Sequence, residues 1–446
     1  MILNTRLILI SCTLLLAACG GGASTKTTST PSVEDLNKIA ENAEAQQLLV
    51  APVPNPLNSS GIATSNDVAS AAAGTNAGLP GIADVYIGTL DLPYYFDPSN
   101  STTSFWLPSL DVRETLTVPV MMTVPNIGTM PTAGWPIVIY QHGITRNRTD
   151  VIAYADAQAS AGFAVIAIDL PAHGLVDADN KFNASNTAFP TDTEQTFGQN
   201  STSGENFINL RSLLTSRDNL RQGAANLLTL RKSLGGIINA ATGTSVSIDT
   251  SKVGLIAHSL GGMVAIPYLA VEPTSTPSSI VMSGATITDV LRNSPSFSPV
   301  IEQGLEALGV TTPAGIAAFY ANAQKLVDAG EPANYAAAAA ANHPIHLIKV
   351  DDDQTVPNSS TENLADIMGA SNVSSTMSIA VGNPGIVNFT VGSHSSPLAP
   401  DAATVGIQTQ LANFQGYSLS PLGPTIVIDS SNCSIIEDAV CTTTAQ

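Results

Sequence analysis

Three side chains in this sequence form a set able to make and break an acyl bond. Ser259 lies in Ala257-His258-Ser259-Leu260-Gly261-Gly262, directly after the apolar run Val253-Gly254-Leu255-Ile256. The spacing is that of a nucleophile elbow, G-x-S-x-G, with Ala257 at the first small position. Small residues are needed at 257 and 261 because a strand that turns at once into a helix crowds the backbone around the serine. A serine hydroxyl is a weak nucleophile at neutral pH and requires a base, and the base requires a group to orient it. His394 follows the strand-like Val387-Asn388-Phe389-Thr390-Val391, and the acids Asp351, Asp352 and Asp353 follow Ile345 to Val350. Developing negative charge on an attacked carbonyl calls for backbone N–H donors. The amides of Leu260 and of Ile144, in Gln141-His142-Gly143-Ile144, are the candidates, with Gln141 or His142 bracing that loop and Gly143 permitting close approach. His343 and His346 also lie near acids, but their spacing specifies no metal site and structural roles are expected for them.

These residues need strand ends to carry them. Dense apolar runs at Pro136 to Tyr140, Phe163 to Ile168 and Val253 to Ala257 read as strands buried on both faces, and intervals long enough for helices separate them. Moderate alternation adds strands at Asp84 to Leu90 and Glu114 to Val124, and further strands are expected at Ser279 to Val281 and Ile345 to Val350. Helices are expected at Ser32 to Leu49, Asp150 to Ala161, Ser216 to Leu234 and Ala403 to Phe414. In the third, Leu220, Ala224, Leu227, Leu228 and Leu234 recur at helical spacing, which leaves Arg221, Gln222 and Arg231 for solvent. The pattern predicts an α/β fold with a mostly parallel sheet and helices on both faces. Two insertions interrupt it, at 177–207 and at about 288–341. The second ends in Ala336 to Ala341, a strong helix former, and is expected to cap the site, with Phe319 and Tyr320 in an acyl pocket.

The order Ser, Asp, His after successive strands resembles the α/β-hydrolase superfamily over about residues 113–415. Asp353-Gln354-Thr355-Val356-Pro357 resembles the D-x-x-V-P segment at the acid of many such enzymes, which points to Asp353 rather than Asp352. Asp169-Leu170-Pro171-Ala172-His173-Gly174 resembles another strand-end loop of the fold, with a bracing role for His173. Asp91-Leu92-Pro93-Tyr94-Tyr95-Phe96, Glu205-Asn206-Phe207 and Arg217-Asp218-Asn219-Leu220-Arg221-Gln222 are similar to segments of bacterial extracellular lipases and surface lysophospholipases. That resemblance implies hydrolysis of fatty acyl esters through an acyl-enzyme on Ser259, with no cofactor. A short-chain carboxylesterase or polyesterase would use the same residues, and a non-enzymatic surface-binding lipoprotein is the remaining alternative.

Of 446 residues, 44% are hydrophobic and only 11% charged, and 16 basic against 35 acidic residues give a formal charge of -19. A large buried core is expected, and nucleic acid is a poor partner for such a surface. Arg6, the apolar Leu7 to Leu16 and the small residues before Cys19 resemble a bacterial lipoprotein signal. The resemblance implies removal of residues 1–18, lipid on Cys19, membrane attachment through that lipid and sorting to the outer membrane. The expected organisation is a tether and linker over 19–80, followed by a catalytic domain over 81–446. Cys433 and Cys441 are expected to form a disulfide that pins the C-terminal tail, as suits an exported protein.

Overall fold

In the computed structural model, residues 33–57, 61–97, 103–189, 191 and 202–441 are described. The signal run, Cys19, the tether and the capping residue Ser32 lie outside them. The strands are β1 (Leu48–Pro52), β2 (Ala83–Tyr94), β3 (Glu114–Pro125), β4 (Trp135–Gln141), β5 (Ala164–Ile168), β6 (Ile237–Asn239) and β7 (Thr244–Ser245). They continue as β8 (Ile248–His258), β9 (Ser278–Val281), β10 (Ile345–Val350), β11 (Ser371–Asn372), β12 (Met377–Ser378), β13 (Gly385–Phe389) and β14 (Thr425–Ile426). The α-helices are α1 (Val33–Asn42), α2 (Ser65–Ala73), α3 (Val151–Ser160), α4 (Leu213–Ser233), α5 (Leu260–Val271) and α6 (Ile287–Asn293). After these come α7 (Ser298–Ala307), α8 (Pro313–Val327), α9 (Ala336–Asn342), α10 (Asn358–Met368) and α11 (Thr404–Ser418).

The main sheet has 12 strands in the order β11-β13-β10-β9-β8-β4-β5-β3-β2-β1-β6-β7. From β13 to β5 neighbouring strands are parallel, whereas β3 pairs antiparallel with both β5 and β2. Side chains alternate across the sheet: Ile137 and Ile139 of β4 pack in a core with α4 and α5, and Val138 and Tyr140 pack in a second core with α3 and α11. A parallel sheet covered on both faces is the solution that buries such continuous apolar runs. It also places the carboxyl ends of β4, β5, β8, β9, β10 and β13 on one edge, where ligands bind in open α/β sheets.

Three expectations are corrected. The boundary drawn at residue 80 falls inside the fold, because β1 joins the sheet between β2 and β6 and buries Leu48 and Val50. Helix α2 begins with a complete capping box between Thr64 and Asp67, so this Pro- and Ala-rich stretch is structured, not a linker. The helix read as running to Leu49 stops at Asn42, and its last residues become β1.

The third correction concerns α4. Arg221 and Gln222 are buried, since α1 and α8 cover the face that helical spacing assigns to solvent. Arg221 pairs with Asp218 (2.9 Å) and with Asp35 of α1 (2.7 Å), and its guanidinium lies 4.5 Å over the Trp106 ring. Gln222 accepts from the Tyr95 amide (3.1 Å) and donates to Pro93 O (2.9 Å). Asp218 accepts from the Trp106 amide (2.8 Å), and Asn219 donates to Phe207 O (2.9 Å). The three segments that resemble lipase motifs are therefore joined to one another as a structural clamp. Arg221→Met should cost about 3 kcal/mol, because it strips a buried carboxylate of one of its cations. Urea unfolding checks this; a loss under about 0.5 kcal/mol would mark Arg221 as an ordinary surface residue.

Candidate active site

Ser259 stands between β8 and α5 with φ 57° and ψ -124°, a conformation that L-residues disfavour. Its amide donates to Val281 O (2.8 Å), which ties the turn to β9, and its carbonyl accepts from Gly262 N (2.9 Å). Glycine is required at 261, where a Cβ would lie 2.3 Å from Gln141 O and 2.6 Å from His142 O. At Gly143 a Cβ would lie 3.0 Å from Ser259 Cβ, so the loop after β4 rests directly on the serine. The first amides of an α-helix have no acceptor within the helix, which leaves Leu260 N–H available beside the serine. Ile144 belongs to the same cleft as Ser259.

The loop after β4 is held by a neutral histidine. His142 Nδ1–H donates to Gly143 O (2.8 Å), and Nε2 accepts from Leu170 N (3.0 Å). Complete burial pushes its pKa down from 6.5 to about 3. His173 packs against it with ring centroids 5.1 Å apart, and burial, reinforced by His142, also pushes His173 down to about 3. Asp169 completes the brace by accepting from the Arg148 amide (2.6 Å) and guanidinium (2.5 Å), which are buried with it. Gln141 is buried at the end of β4 and contributes its backbone to the crowding around Gly261.

Among the consecutive aspartates, Asp353 reaches the histidine: His394 Nδ1–H donates to its Oδ2 at 2.7 Å. The other oxygen accepts from the amides of Thr355 (2.8 Å) and Val356 (3.0 Å), which fix the carboxylate. Asp351 instead accepts from Asn388 (2.9 Å), while Asp352 takes a positive φ in the turn. With Nδ1 protonated toward Asp353, Nε2 of His394 is left as an acceptor. Ser259 and His394 border one cleft of about 350 Å³, together with Gly143, Ile144, His258, Ser296, Phe297, Thr355 and Leu398.

Phe319 and Tyr320 are not in that cleft. Tyr320 packs with Ile301 and Leu305, and Phe319 lies against the same cluster, so these aromatics join α7 to α8. The insertion reaches the site instead through Ser296 and Phe297, between α6 and α7, and Ser296 N donates to Gln354 O (2.9 Å) in the acid loop. Helical periodicity marks both kinds of aromatic as buried and does not say against what. The histidines His343 and His346 are structural. His343 accepts from Thr276 N (2.9 Å) and donates to Leu269 O (2.6 Å), and His346 bonds Gln410 (3.1 Å) beside Phe414.

Asp401 is a residue that sequence reasoning missed. It accepts from Ser393 (3.2 Å) and Ser396 (2.5 Å) on either side of His394, and also from the amides of Ala403 (2.9 Å) and Thr404 (3.2 Å) at the start of α11. The D-x-x-T spacing of a helix start was its only signal.

A nucleophile turn, an acid and a histidine converge at the carboxyl edge of a sheet with this strand order, which defines an α/β-hydrolase. The chain belongs to the alpha/beta hydrolase family, whose model matches residues 132–404. No curated protein matches the sequence. Similar solved structures include an acetyl xylan esterase from Paenibacillus sp. R4, with 11% identity, a TM-score of 0.46, and 88% of this chain and 96% of that chain covered. Another is acetyl xylan esterase 1 from Thermoanaerobacterium sp. JW/SL YS485, with 12% identity, a TM-score of 0.44, and 85% of this chain and 92% of that chain covered.

The buried histidines make stability depend on pH. His142, His173 and His346 have pKa values pushed by burial to about 3, against an ordinary 6.5. Between those values the unfolded chain binds protons that the folded chain does not, so stability falls as pH falls below 6.5. His258 and His343, also lowered by burial, act in the same sense. Glu331, raised by burial from 4.5 to about 8, opposes them, as does Asp150. Taking the three histidines against Glu331, the expected net loss between pH 7 and pH 5.5 is about 2 kcal/mol. Urea unfolding at the two pH values measures it, and equal or higher stability at pH 5.5 would contradict the balance.

Proposed function

We propose that the protein is a serine hydrolase of carboxylic esters with a compact acyl part. The observation that carries this reading is the shared cleft: Ser259 on its positive-φ turn beside His394, with Asp353 bonded behind the histidine. Ser259 Oγ attacks the ester carbonyl while His394 Nε2 takes its proton, and the amides of Leu260 and Ile144 receive the oxyanion. His394 then delivers that proton to the departing alcohol. Water, deprotonated by the same nitrogen, releases the acid from the acyl-enzyme, and Asp353 steadies the imidazolium in both steps.

The cleft supports the compact-ester reading over the fatty-acyl one. About 350 Å³ lies toward the small end of ligand clefts, which span about 300–1,000 Å³. Its lining mixes Ile144, Phe297 and Leu398 with the hydroxyls of Ser296 and Thr355, instead of forming an extended apolar wall. The segments similar to lipases are joined in the clamp around Asp218 and Gln222, where their likeness carries no information about an acyl group. The family match supports hydrolase chemistry in general.

Purified enzyme should cleave p-nitrophenyl acetate and butyrate at least about 10-fold faster in kcat/KM than the palmitate. Ser259→Ala should lose nearly all turnover, and Asp353→Asn about 10⁴-fold in kcat. Phe297→Ala should shift the chain-length preference, whereas Tyr320→Ala should lower Tm and leave it unchanged. A folded Ser259→Ala variant with wild-type turnover would refute the nucleophile; a preference for palmitate would refute the compact acyl group.

We further propose that Cys19 carries lipid and holds the enzyme at the outer membrane. The support is the sequence pattern ending at Cys19, together with the Cys433–Cys441 disulfide, which suits an oxidising compartment. Among the described residues no helix is long and apolar enough to cross a membrane. Cys19→Ala should abolish metabolic lipid labelling and move activity from the membrane to the soluble fraction; unchanged labelling and fractionation would refute the anchor.

A further inference from the structure

His258, the residue before the nucleophile, is fully buried at the end of β8, yet it reaches the loop that carries the base. Its Nε2 lies 2.9 Å from the backbone carbonyl of His394, and the two rings stack with centroids 4.9 Å apart and planes inclined by 31°. A carbonyl only accepts, so Nε2 carries the proton. Burial, reinforced by the neighbouring His394, holds this ring neutral, and Nδ1 is then a buried acceptor with no partner among the described residues. A leucine or phenylalanine in the same space would avoid that unpaired acceptor. Hydrophobic packing therefore does not account for an imidazole here, whereas its N–H donor does.

The bond joins two parts that must stay in register. His394 is held at its ring by Asp353 in the loop after β10, and at its main chain by a residue directly bonded to Ser259. Two anchors on opposite sides of the residue fix both the position of its backbone and the direction of Nε2. We propose that His258 is a positioning residue, which locks the His394 backbone to the strand end bearing Ser259 and acts only through His394. This rests on the reading of Ser259 and His394 as nucleophile and base.

The test is a mutant cycle with p-nitrophenyl acetate. His258→Leu removes the donor, whereas His258→Gln keeps an N–H near the position of Nε2. Misplacing a reacting group by about 1 Å can cost about 100-fold, so His258→Leu should lower kcat about 100-fold with KM within about 2-fold. His258→Gln should recover to within about 5-fold of wild type. In a His394→Ala background, adding His258→Leu should change the residual rate by less than about 2-fold, because the group through which it acts is gone. Equal losses for Leu and Gln, or a full loss on top of His394→Ala, would overturn the proposal. If His258→Leu does not fold, His258→Asn, whose amide stops short of the carbonyl, replaces it in the cycle. Wild-type turnover in His394→Ala alone would remove the base, and the proposal with it, a result distinct from the others.

Discussion

The architecture of this molecule turns on a single backbone angle. Ser259 holds φ 57°, a state that costs an L-residue about 1–3 kcal/mol and persists only where its surroundings over-determine it. Those surroundings are backbone from the ends of β9 and β4 and from the loop after β4. Val281 O takes the serine amide, the carbonyls of Gln141 and His142 crowd the position of Gly261, and Gly143 rests on the serine Cβ. A Cβ at 261 would collide with those carbonyls and one at 143 would press on the serine, so these two glycines follow from the close approach of β4 to β8. The compression that strains the serine also presents its hydroxyl to the cleft, while the first amide of α5 stands beside it.

Histidine serves two purposes here, separated by burial. The chain has 6 histidines, and His142, His173, His258, His343 and His346 are buried braces whose burial lowers their pKa. A neutral imidazole is suited to such a role because it donates at one nitrogen and accepts at the other, as His142 does between Gly143 O and Leu170 N. His394 alone is not buried, with its side chain 15% exposed at the cleft. Exposure to the cleft, not place on the sheet edge, thus decides which imidazole can exchange protons with a substrate.

This separation explains what was legible in the sequence. The strands β4, β5, β8 and β10 were readable because an element buried on both faces must be apolar throughout. Ser259, Asp353 and His394 could be found because each follows such a run. Side-chain partners on outer layers were not readable. Arg221 and Gln222 occupy positions that spacing assigns to solvent, and α1, from more than a hundred residues away in the chain, together with α8 and the segment of Pro93, Tyr95 and Trp106, converts them into a buried clamp. The helical reading of Ser32 to Leu49 likewise hid β1, whose first residues fall in that run and which, being only five residues long, offers too few side chains to set a period of its own. Phe319, Tyr320 and Phe297 looked alike in sequence, yet only Phe297 stands where the insertion meets the acid loop.

The C-terminal tail belongs to the same chain of constraints. Strand β13 delivers His394, but beyond it the sheet has, among the described residues, only the two-residue β11, which pairs at Gly385 and Ile386 and leaves the end nearest the histidine open. The tail closes that end: Glu437 N donates to Asn388 O and Thr390 N to Ile435 O, both at 2.9 Å, and Ile436 bridges to Phe389. Cys433 and Cys441 bracket this contact and join each other across it. By closing a short loop the disulfide reduces the freedom the tail would have when detached, which favours the docked arrangement. Through Asn388, which donates to both Asp351 and Glu437, the same contact reaches the loop that carries Asp353. The acid and the base are thus steadied from outside the sheet by a segment that has no place in the chemistry.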